Sequence, residues 1–250
     1  MIKLITEINL EGFTFVIPSV AVGNIAQLAT DLLIENLNLQ KIGHILDFSV
    51  IPVVGMNPFD ENSEELCTAL DLYANNEHKL IVLQVRSPVI SNYTKFFEEL
   101  KFFILKHKIS QVVILTSSYA YQNSELKTIG LRYLVNDSFQ KSHKDVIKKL
   151  EWVEHKAKIN PFTNDLAEIE IPGGGCALKF YYFLTDLKIP SLILFKFCSE
   201  GDNIPDAEDL ISYFNQWSKL LKTNSNEKLN IKYPSSWKYL FGNPHPNEIY

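Results

Sequence analysis

Short runs dominated by apolar residues are the feature of this sequence that most constrains its fold. Phe13–Ile17, Leu80–Val85 and Leu192–Phe197 lack the strict alternation of apolar and polar residues that is typical of a half-exposed strand. Such runs favour strands that are covered on both faces. An amphipathic helix at residues 93–107 separates the second run from a buried strand, "QVVILTSS". This order of strand, helix and strand indicates a crossover connection in an at least partly parallel sheet.

The first strand is predicted to lead through a glycine-containing turn into a helix. Asn24 followed by Gln27 matches a capping box. The apolar stripe of this helix consists of Ile25, Leu28, Ala29 and Leu32. Strand and helix would form half of a βαβ unit, with the next strand in the stretch "KIGHILDFSVIPVVG". Residues 66–85 are predicted to form a β-hairpin around the turn "ANNEH", although residues 66–73 could also form a short helix.

The second half of the chain continues this mixture of strands and helices. We predict strands near Leu131–Leu134 and at Ile169–Ile171, helices from about Ser142, around residues 176–187 and from Asp206, and a small element at "PSSWKYLFG". No Ser/Gly-rich linker or repeat interrupts these elements. Residues 1–250 are therefore predicted to form a single domain that ends in a short tail at residues 243–250.

Charge and cysteine content narrow the functional classes. A net charge of -5 and a pI near 5.7 argue against a general polyanion binder, which needs clustered cations. The three cysteines are far apart in sequence and form no C-x-x-C motif, which fits a reducing compartment. The sequence contains no evident targeting segment and no apolar run long enough to span a bilayer. We expect a cytoplasmic or nuclear protein that binds neither nucleic acid nor membrane.

The loop "IPGGG" offers a candidate phosphate site at Gly173, Gly174 and Gly175, because freed backbone amides can approach an anion. However, Cys176, Ala177 and Leu178 follow, where a P-loop has Lys and Ser or Thr and a dinucleotide fingerprint has glycine. A turn with positive φ that admits close approach of another backbone is the simpler interpretation.

A second candidate is the acidic segment "SEGDNIPDAEDL" after the last apolar run. Asp206 is predicted to cap the following helix, with Glu208 and Asp209 in its favourable first turn. Gly201 would reverse the chain, which leaves Glu200 and Asp202 unexplained. Arg86 ends the strand "IVLQVR" and could bind an anion or, as we prefer, pair with an acid of the 200–209 loop. The six histidines form no zinc motif, and no nucleophile signature occurs. No cofactor or metal is predicted.

Seven blocks in order resemble the proteasome assembly chaperone family: "GFTFVIPSVAVGNIAQLATDLLI", "KIGHI", "VVGMNPF", "LQVRS", "IPGGG", "SEGDNIPDA" and "PSSWKYLFG". They span about residues 12–242. The resemblance implies a non-enzymatic chaperone with an α/β fold, in which helices cover both faces of a central mixed, largely parallel sheet in three layers. It makes the loops around these blocks family hallmarks with a structural or interface role, namely Gly23, Asn24, Gly173, Gly174, Gly175, Glu200, Gly201, Asp202 and Asn203.

The resemblance also implies partners. Members pair with a related subunit, proteasome assembly chaperone 1, bind the α-subunit ring of the proteasome core particle, promote ring formation and prevent premature association with activators. In several members a hydrophobic residue, a tyrosine and a final residue dock between α subunits. This chain ends in Ile249 and Tyr250, so the pair lies one position later than in that pattern. A terminus without a binding role is the alternative.

Two other functions remain open from the residues alone. The first is an enzyme of the nucleoside phosphorylase or hydrolase type, with the Gly173–Gly175 loop for phosphate and Glu200 or Asp202 as acid or base. It requires a concave pocket that joins both loops. The second is a generic scaffold unrelated to proteasomes, which co-purifying proteins would distinguish.

Overall fold

The computed structural model describes residues 1–91, 93–123, 130–150, 152–157, 168–224 and 228–239. The described strands are β1 (Ile2–Leu4), β2 (Thr14–Pro18), β3 (Gln40–Ile45), β4 (Val54–Met56), β5 (Leu66–Thr68), β6 (Leu70–Asn75), β7 (Leu80–Val85), β8 (Gln111–Tyr119), β9 (Leu131–Val135) and β10 (Ser191–Cys198). The described α-helices are α1 (Ile25–Asn36), α2 (Tyr93–Lys106), α3 (Asp137–Lys149), α4 (Ala177–Asp186) and α5 (Ile204–Ser218). Within these ranges, no helix is long and apolar enough to cross a membrane.

A mixed eight-stranded sheet runs through the centre of the molecule in the order β1-β3-β6-β7-β2-β8-β10-β9. The central strands β7, β2, β8 and β10 pair in parallel, whereas the pairings on both margins are antiparallel. Strands β4 and β5 form a separate two-stranded antiparallel ribbon. The apolar runs thus form the parallel centre, where helices cover both faces.

Alternate residues of each central strand contact helices on opposite faces of the sheet. In β2, Phe15 and Ile17 pack in the core layer that includes residues of α2 and α4. Val16 points the other way, into the layer that includes residues of α1, α3 and α5. The same alternation holds in β7, β8 and β10, as the period of two in a strand dictates. The predicted three-layer α/β fold class is therefore confirmed.

Three helices, α1, α2 and α4, end in the same way, and a strand begins within a few residues of each ending. The second residue after the helix is in the left-handed region, at Asn38, Lys108 and Lys188. The amide one residue later donates to the carbonyl five positions back, in Leu39, Ile109 and Ile189. These three apolar residues are buried, which completes the Schellman arrangement. The chain is thereby turned back towards the sheet.

The predicted hairpin is confirmed for residues 70–85, because β6 and β7 pair antiparallel. Its first predicted residues, 66–68, instead form β5 of the separate ribbon. The predicted βαβ unit also exists, because β3 follows α1 and runs in the same direction as β2 in the same sheet. Its two strands are not neighbours, however: the hairpin inserts β6 and β7 between them, and β3 pairs antiparallel with β1 and β6.

Two local predictions, a helix cap in the first half of the chain and a short strand in the second half, are also wrong. Asn24 does not cap α1, because its φ of 51° places it at the end of a tight turn and its side chain makes no cap hydrogen bond. Gln27 instead donates to the carbonyl of Val85 at 3.4 Å. The predicted strand at Ile169–Ile171 is an irregular segment.

Helix α3 begins at Asp137, five residues before the predicted start. The side chain of Asn136 accepts a hydrogen bond from the amide of Phe139 at 3.0 Å and caps the helix there. The same oxygen accepts from the amide of Ser191 at 3.0 Å, and so it ties the helix start to β10.

Candidate functional site

The loops that follow three central strands meet around one open depression. It is lined by residues 20–24 after β2, by Tyr119 at the end of β8, by Gly173 and Gly175, and by Glu200, Gly201 and Asn203 after β10. Its volume is about 650 Å³. We call this feature the central depression. It lies at the carboxyl ends of the parallel strands, where open α/β sheets commonly bind their ligands.

The glycine loop packs against the neighbouring loop so closely that side chains are excluded. Gly173 and Gly175 have φ values of 80° and 64°, which favour glycine. A Cβ atom on Gly175 would lie 2.2 Å from the carbonyl oxygen of Val20, and one on Gly173 would lie 2.5 Å from Val22 Cγ2. The loop is a turn of positive φ that admits close approach of another backbone segment, as the simpler interpretation of the sequence predicts.

Hydroxyl groups hold the carbonyls of the glycine loop. Ser19 and Thr116 both donate to the carbonyl of Gly174 at 2.9 Å. Ser118 donates to the carbonyl of Pro172 at 2.7 Å. These donors belong to the ends of β2 and β8, so the loop is fixed to the two central strands.

The turn before α1 is fixed in a similar manner from the β10 side. Gly23 has a φ of 65°, and a Cβ atom there would lie 2.7 Å from the side chain of Asn203. Asn203 is buried and donates to the carbonyl of Ser199 at 2.8 Å and to Asp206 at 2.9 Å. Ser117 donates to the carbonyl of Val22 at 2.5 Å. The residues that line the depression therefore hold one another in place.

The carboxylates of the acidic segment have separate roles. Asp206 and Asp209 both pair with Lys196, and the Asp206 contact is 2.7 Å long. Burial lowers the pKa of Lys196, but the two carboxylates outweigh it and raise that pKa, so the side chain stays cationic. The predicted cap at Asp206 is wrong, since α5 already begins at Ile204 with Asn203 in the capping position.

Glu200 and Asp202, which the sequence left unexplained, are both exposed but do not face the same place. Glu200 lines the central depression, whereas Asp202 does not. The Asp202 carboxylate accepts a hydrogen bond from the amide of Ile204 at 3.1 Å, near the start of α5. The structure thus assigns Asp202 to the helix start and leaves Glu200 at the rim.

Two thiols lie near the depression, and neither is activated. Burial raises the pKa of Cys176 and raises that of Cys198 to about 11. A nucleophilic cysteine requires the opposite shift. Among the described residues, no cluster of three or more His, Cys, Asp or Glu side chains could hold a metal ion.

Arg86 lies outside the depression, in a buried polar cluster. Its guanidinium makes two hydrogen bonds to Asp31, at 2.8 and 2.9 Å, and Gln84 donates to the same carboxylate at 3.0 Å. Asp31 is only 1% exposed. The predicted ion pair exists, but the prediction of its partner was wrong: the acid comes from α1, which packs on this face of the sheet, and not from the 200–209 loop.

The sequence interpretation missed the hydroxyl residues that hold the glycine loop. Their only signal is the polar run of Thr116, Ser117 and Ser118 at the end of an otherwise apolar strand. The two tail residues, Ile249 and Tyr250, lie outside the described residues.

Comparisons with known proteins agree with the resemblance seen in the sequence. Residues 15–226 match the model of the PAC2 family. The Homo sapiens protein named Proteasome assembly chaperone 2 is 39% identical over 254 residues, which cover 97% of this chain and 96% of the relative. The Xenopus tropicalis protein of the same name is 40% identical over 249 residues, or 95% of each chain.

A solved structure shares the fold at low identity. It is that of Pyrococcus furiosus PbaA, described as an archaeal homolog of proteasome-assembly chaperone. Its TM-score is 0.62 at 14% identity, over 90% of this chain and 89% of that one.

Proposed function

Since the chain belongs to the PAC2 family, we propose that it is a chaperone for assembly of the proteasome core particle. The observation that carries this proposal is 39% identity to the human Proteasome assembly chaperone 2 across nearly the entire length of both chains. The family model covers the loops around the central depression as well as the core strands. The proposal therefore concerns the whole folded unit.

In this function the chain forms a heterodimer with proteasome assembly chaperone 1 and binds the α-subunit ring. The bound heterodimer prevents off-pathway association of rings and premature binding of activators. It makes and breaks no covalent bond, so the protein is not an enzyme. We place this activity in the cytoplasm or nucleus, where the three free cysteines would stay reduced.

The chain segment before the tail supports a role for the C-terminus in ring binding. Lys232 and Asn36 exchange two hydrogen bonds, of 2.7 and 2.8 Å, which attach this segment to α1. The amide of Ser236 donates to the carbonyl of Pro58 at 3.2 Å. The last residue that the structure describes is Tyr239, and the eleven residues after it could span at most about 40 Å when extended. The tail thus starts from a fixed root on the folded body.

Deletion of Ile249 and Tyr250 should weaken binding to the α ring about tenfold, or about 1.4 kcal/mol, and leave the heterodimer intact. An apolar anchor, an aromatic ring and a terminal carboxylate are lost together. Binding of the purified heterodimer to α subunits would be measured by biolayer interferometry. Tyr182→Ala, which removes a 44% exposed aromatic ring from α4, is the control. Unchanged ring affinity after the deletion would assign ring binding to the folded surface alone.

A pull-down tests the function itself. The tagged chain, co-expressed with proteasome assembly chaperone 1, should retain α subunits, and mass spectrometry should identify them as the main co-purifying proteins. If neither the partner nor any α subunit is retained, the chaperone proposal is abandoned. A reproducible set of unrelated proteins would instead support the generic scaffold.

One observation favours the enzymatic alternative: the central depression joins the glycine loop to Glu200, as that alternative requires. However, Asp202 does not line the depression, and two amides of the glycine loop that could approach an anion are already used: that of Gly174 donates to the carbonyl of Ile171 at 2.9 Å, and that of Cys176 donates to the Ser19 hydroxyl at 3.0 Å. Titration calorimetry with inorganic phosphate and with a nucleoside would decide. We expect no heat of binding, and saturable heat that Glu200→Gln abolishes would revive the enzyme.

A further inference from the structure

The most unusual exposed feature among the described residues is an apolar surface formed by the segment after β3 and by the ribbon of β4 and β5. Six side chains there are each more than half exposed: Leu46 61%, Phe48 98%, Val54 67%, Met56 71%, Leu66 58% and Ile90 59%. Phe48 thus contributes almost nothing to the core. We call this set the apolar ribbon surface, after the ribbon of β4 and β5 that forms part of it.

The register of the ribbon places three of these side chains on one face. Met56 lies directly opposite Leu66, and Val54 precedes Met56 by two residues, so all three point the same way. Cys67 points to the other face and is buried against the body of the protein. The apolar face of the ribbon is therefore its outer face.

Backbone contacts join the segment before the ribbon to the connection between β7 and α2. Val50 and Val89 form an isolated antiparallel bridge, and the amide of Ile90 donates to the carbonyl of Ser49 at 2.8 Å. Ile90 is thereby held beside the segment that carries Phe48. The exposed residues thus belong to one connected part of the structure.

The size and composition of this surface are those of a permanent interface. An aromatic residue covers roughly 150–250 Å² and the five aliphatic residues somewhat less, so the six expose on the order of 600–800 Å², which approaches what each partner contributes to a standard stable interface. The largest apolar patch of a typical monomer is about 300–600 Å². Between residues 46 and 56 the only charged side chain is Asp47. Interfaces of obligate complexes are more apolar than those of transient ones.

We propose that the apolar ribbon surface binds the permanent partner subunit, a related folded chain that offers an apolar, charge-poor surface of its own. This inference rests on the proposed heterodimer and locates it on the molecule. The composition argues against reversible docking on the proteasome ring, for which a more polar surface is expected. The net charge of -5 on each copy opposes pairing with a second copy of this chain.

The test uses the full chain co-expressed with proteasome assembly chaperone 1. We expect Phe48→Asp and Val54→Asp each to weaken the heterodimer at least tenfold, measured by analytical ultracentrifugation, because a charge would be buried without a partner. Val146→Asp is the matched control, on the 41% exposed Val146 of α3, and should leave pairing unchanged. Circular dichroism would verify the fold of each variant. Since Phe48 is 98% exposed, its replacement removes no core packing.

Four outcomes overturn the inference in different ways. If the wild-type chain pairs and both variants pair equally well, the partner binds elsewhere and only this inference falls. If the variants keep the heterodimer but no longer retain α subunits, the surface faces the ring. If the chain alone forms a dimer that Phe48→Asp dissociates, the occupant is a second copy. If the wild-type chain does not pair at all, the proposed heterodimer falls as well.

Discussion

Replacement of Gly175 by alanine is expected to lower the free energy of unfolding by about 3 kcal/mol or more. The residue has a φ of 64°, in which an alanine is strained, and the new Cβ atom would lie 2.2 Å from the carbonyl oxygen of Val20. A backbone atom cannot rotate away as a flexible side chain can. Either the glycine loop or the turn after β2 must move, and the hydrogen bonds from Ser19 and Thr116 to Gly174 would be broken or stretched.

Gly12→Ala separates the two causes of this loss. Gly12 has a φ of 80°, but a Cβ atom there meets nothing within 4 Å. Its replacement should cost only the conformational strain, about 1 kcal/mol. Urea denaturation of both variants gives the comparison. Equal losses at the two positions would mean that the contact between Gly175 and Val20 does not constrain the loop.

Replacement of Arg86 by alanine is expected to lower the free energy of unfolding by about 3–5 kcal/mol, because it leaves Asp31 buried without its cation. Asp31 is 1% exposed, and the donors that remain, the amide of Gln84 at 3.0 Å and the side chain of Trp237, are both neutral. The cluster joins α1 to β7, so its loss also loosens the helix that carries the root of the C-terminal segment through Asn36. Thermal and urea unfolding would measure the effect.

The double variant Asp31→Asn with Arg86→Met is the control, since it removes both charges and should be markedly more stable than Arg86→Ala. The pH dependence gives a second check. Burial raises the pKa of Asp31, and the neighbouring Arg86 opposes that shift. Without Arg86 the raised pKa makes the folded state bind a proton more readily than the unfolded state. The deficit of Arg86→Ala should therefore shrink as the pH falls towards about 4, the ordinary aspartate pKa. A constant deficit would contradict this account.

The parallel centre of the sheet could be predicted because its signal is local. The runs in β2, β7, β8 and β10 contain enough apolar residues to fill both faces of a buried strand. The place of β3 could not be predicted, since strand pairing depends on the hairpin of β6 and β7, which is distant in sequence. A period of two specifies a strand and its faces, but not its neighbour.

The central depression could be predicted only in part. The glycines of the 173–175 loop signal a tight turn, and their φ values follow from it. What they pack against is set by the fold, which brings Val20 and Val22 from the other half of the chain to the same place. The caps at Asn24 and Asp206 failed for a related reason. Side-chain chemistry permits a cap there, but the backbone enters each helix at a different residue.

Arg86 illustrates the same limit for charges. Its position at the end of β7 predicts an ion pair but not the identity of the acid. Asp31 lies 55 residues earlier on α1 and becomes its partner only when α1 packs on the sheet. The exposure of apolar residues such as Phe48 could not be predicted from the sequence either, because an apolar side chain is normally expected to lie in the core.

Native mass spectrometry of purified α subunits is the most direct test of the central claim, that this chain acts by covering a surface of the assembling proteasome. The subunits would be mixed with the heterodimer of this chain and proteasome assembly chaperone 1, or with buffer alone. The account predicts single α rings that carry one bound heterodimer, with fewer paired rings than in buffer. An unchanged distribution of ring species, with no heterodimer bound, would contradict it.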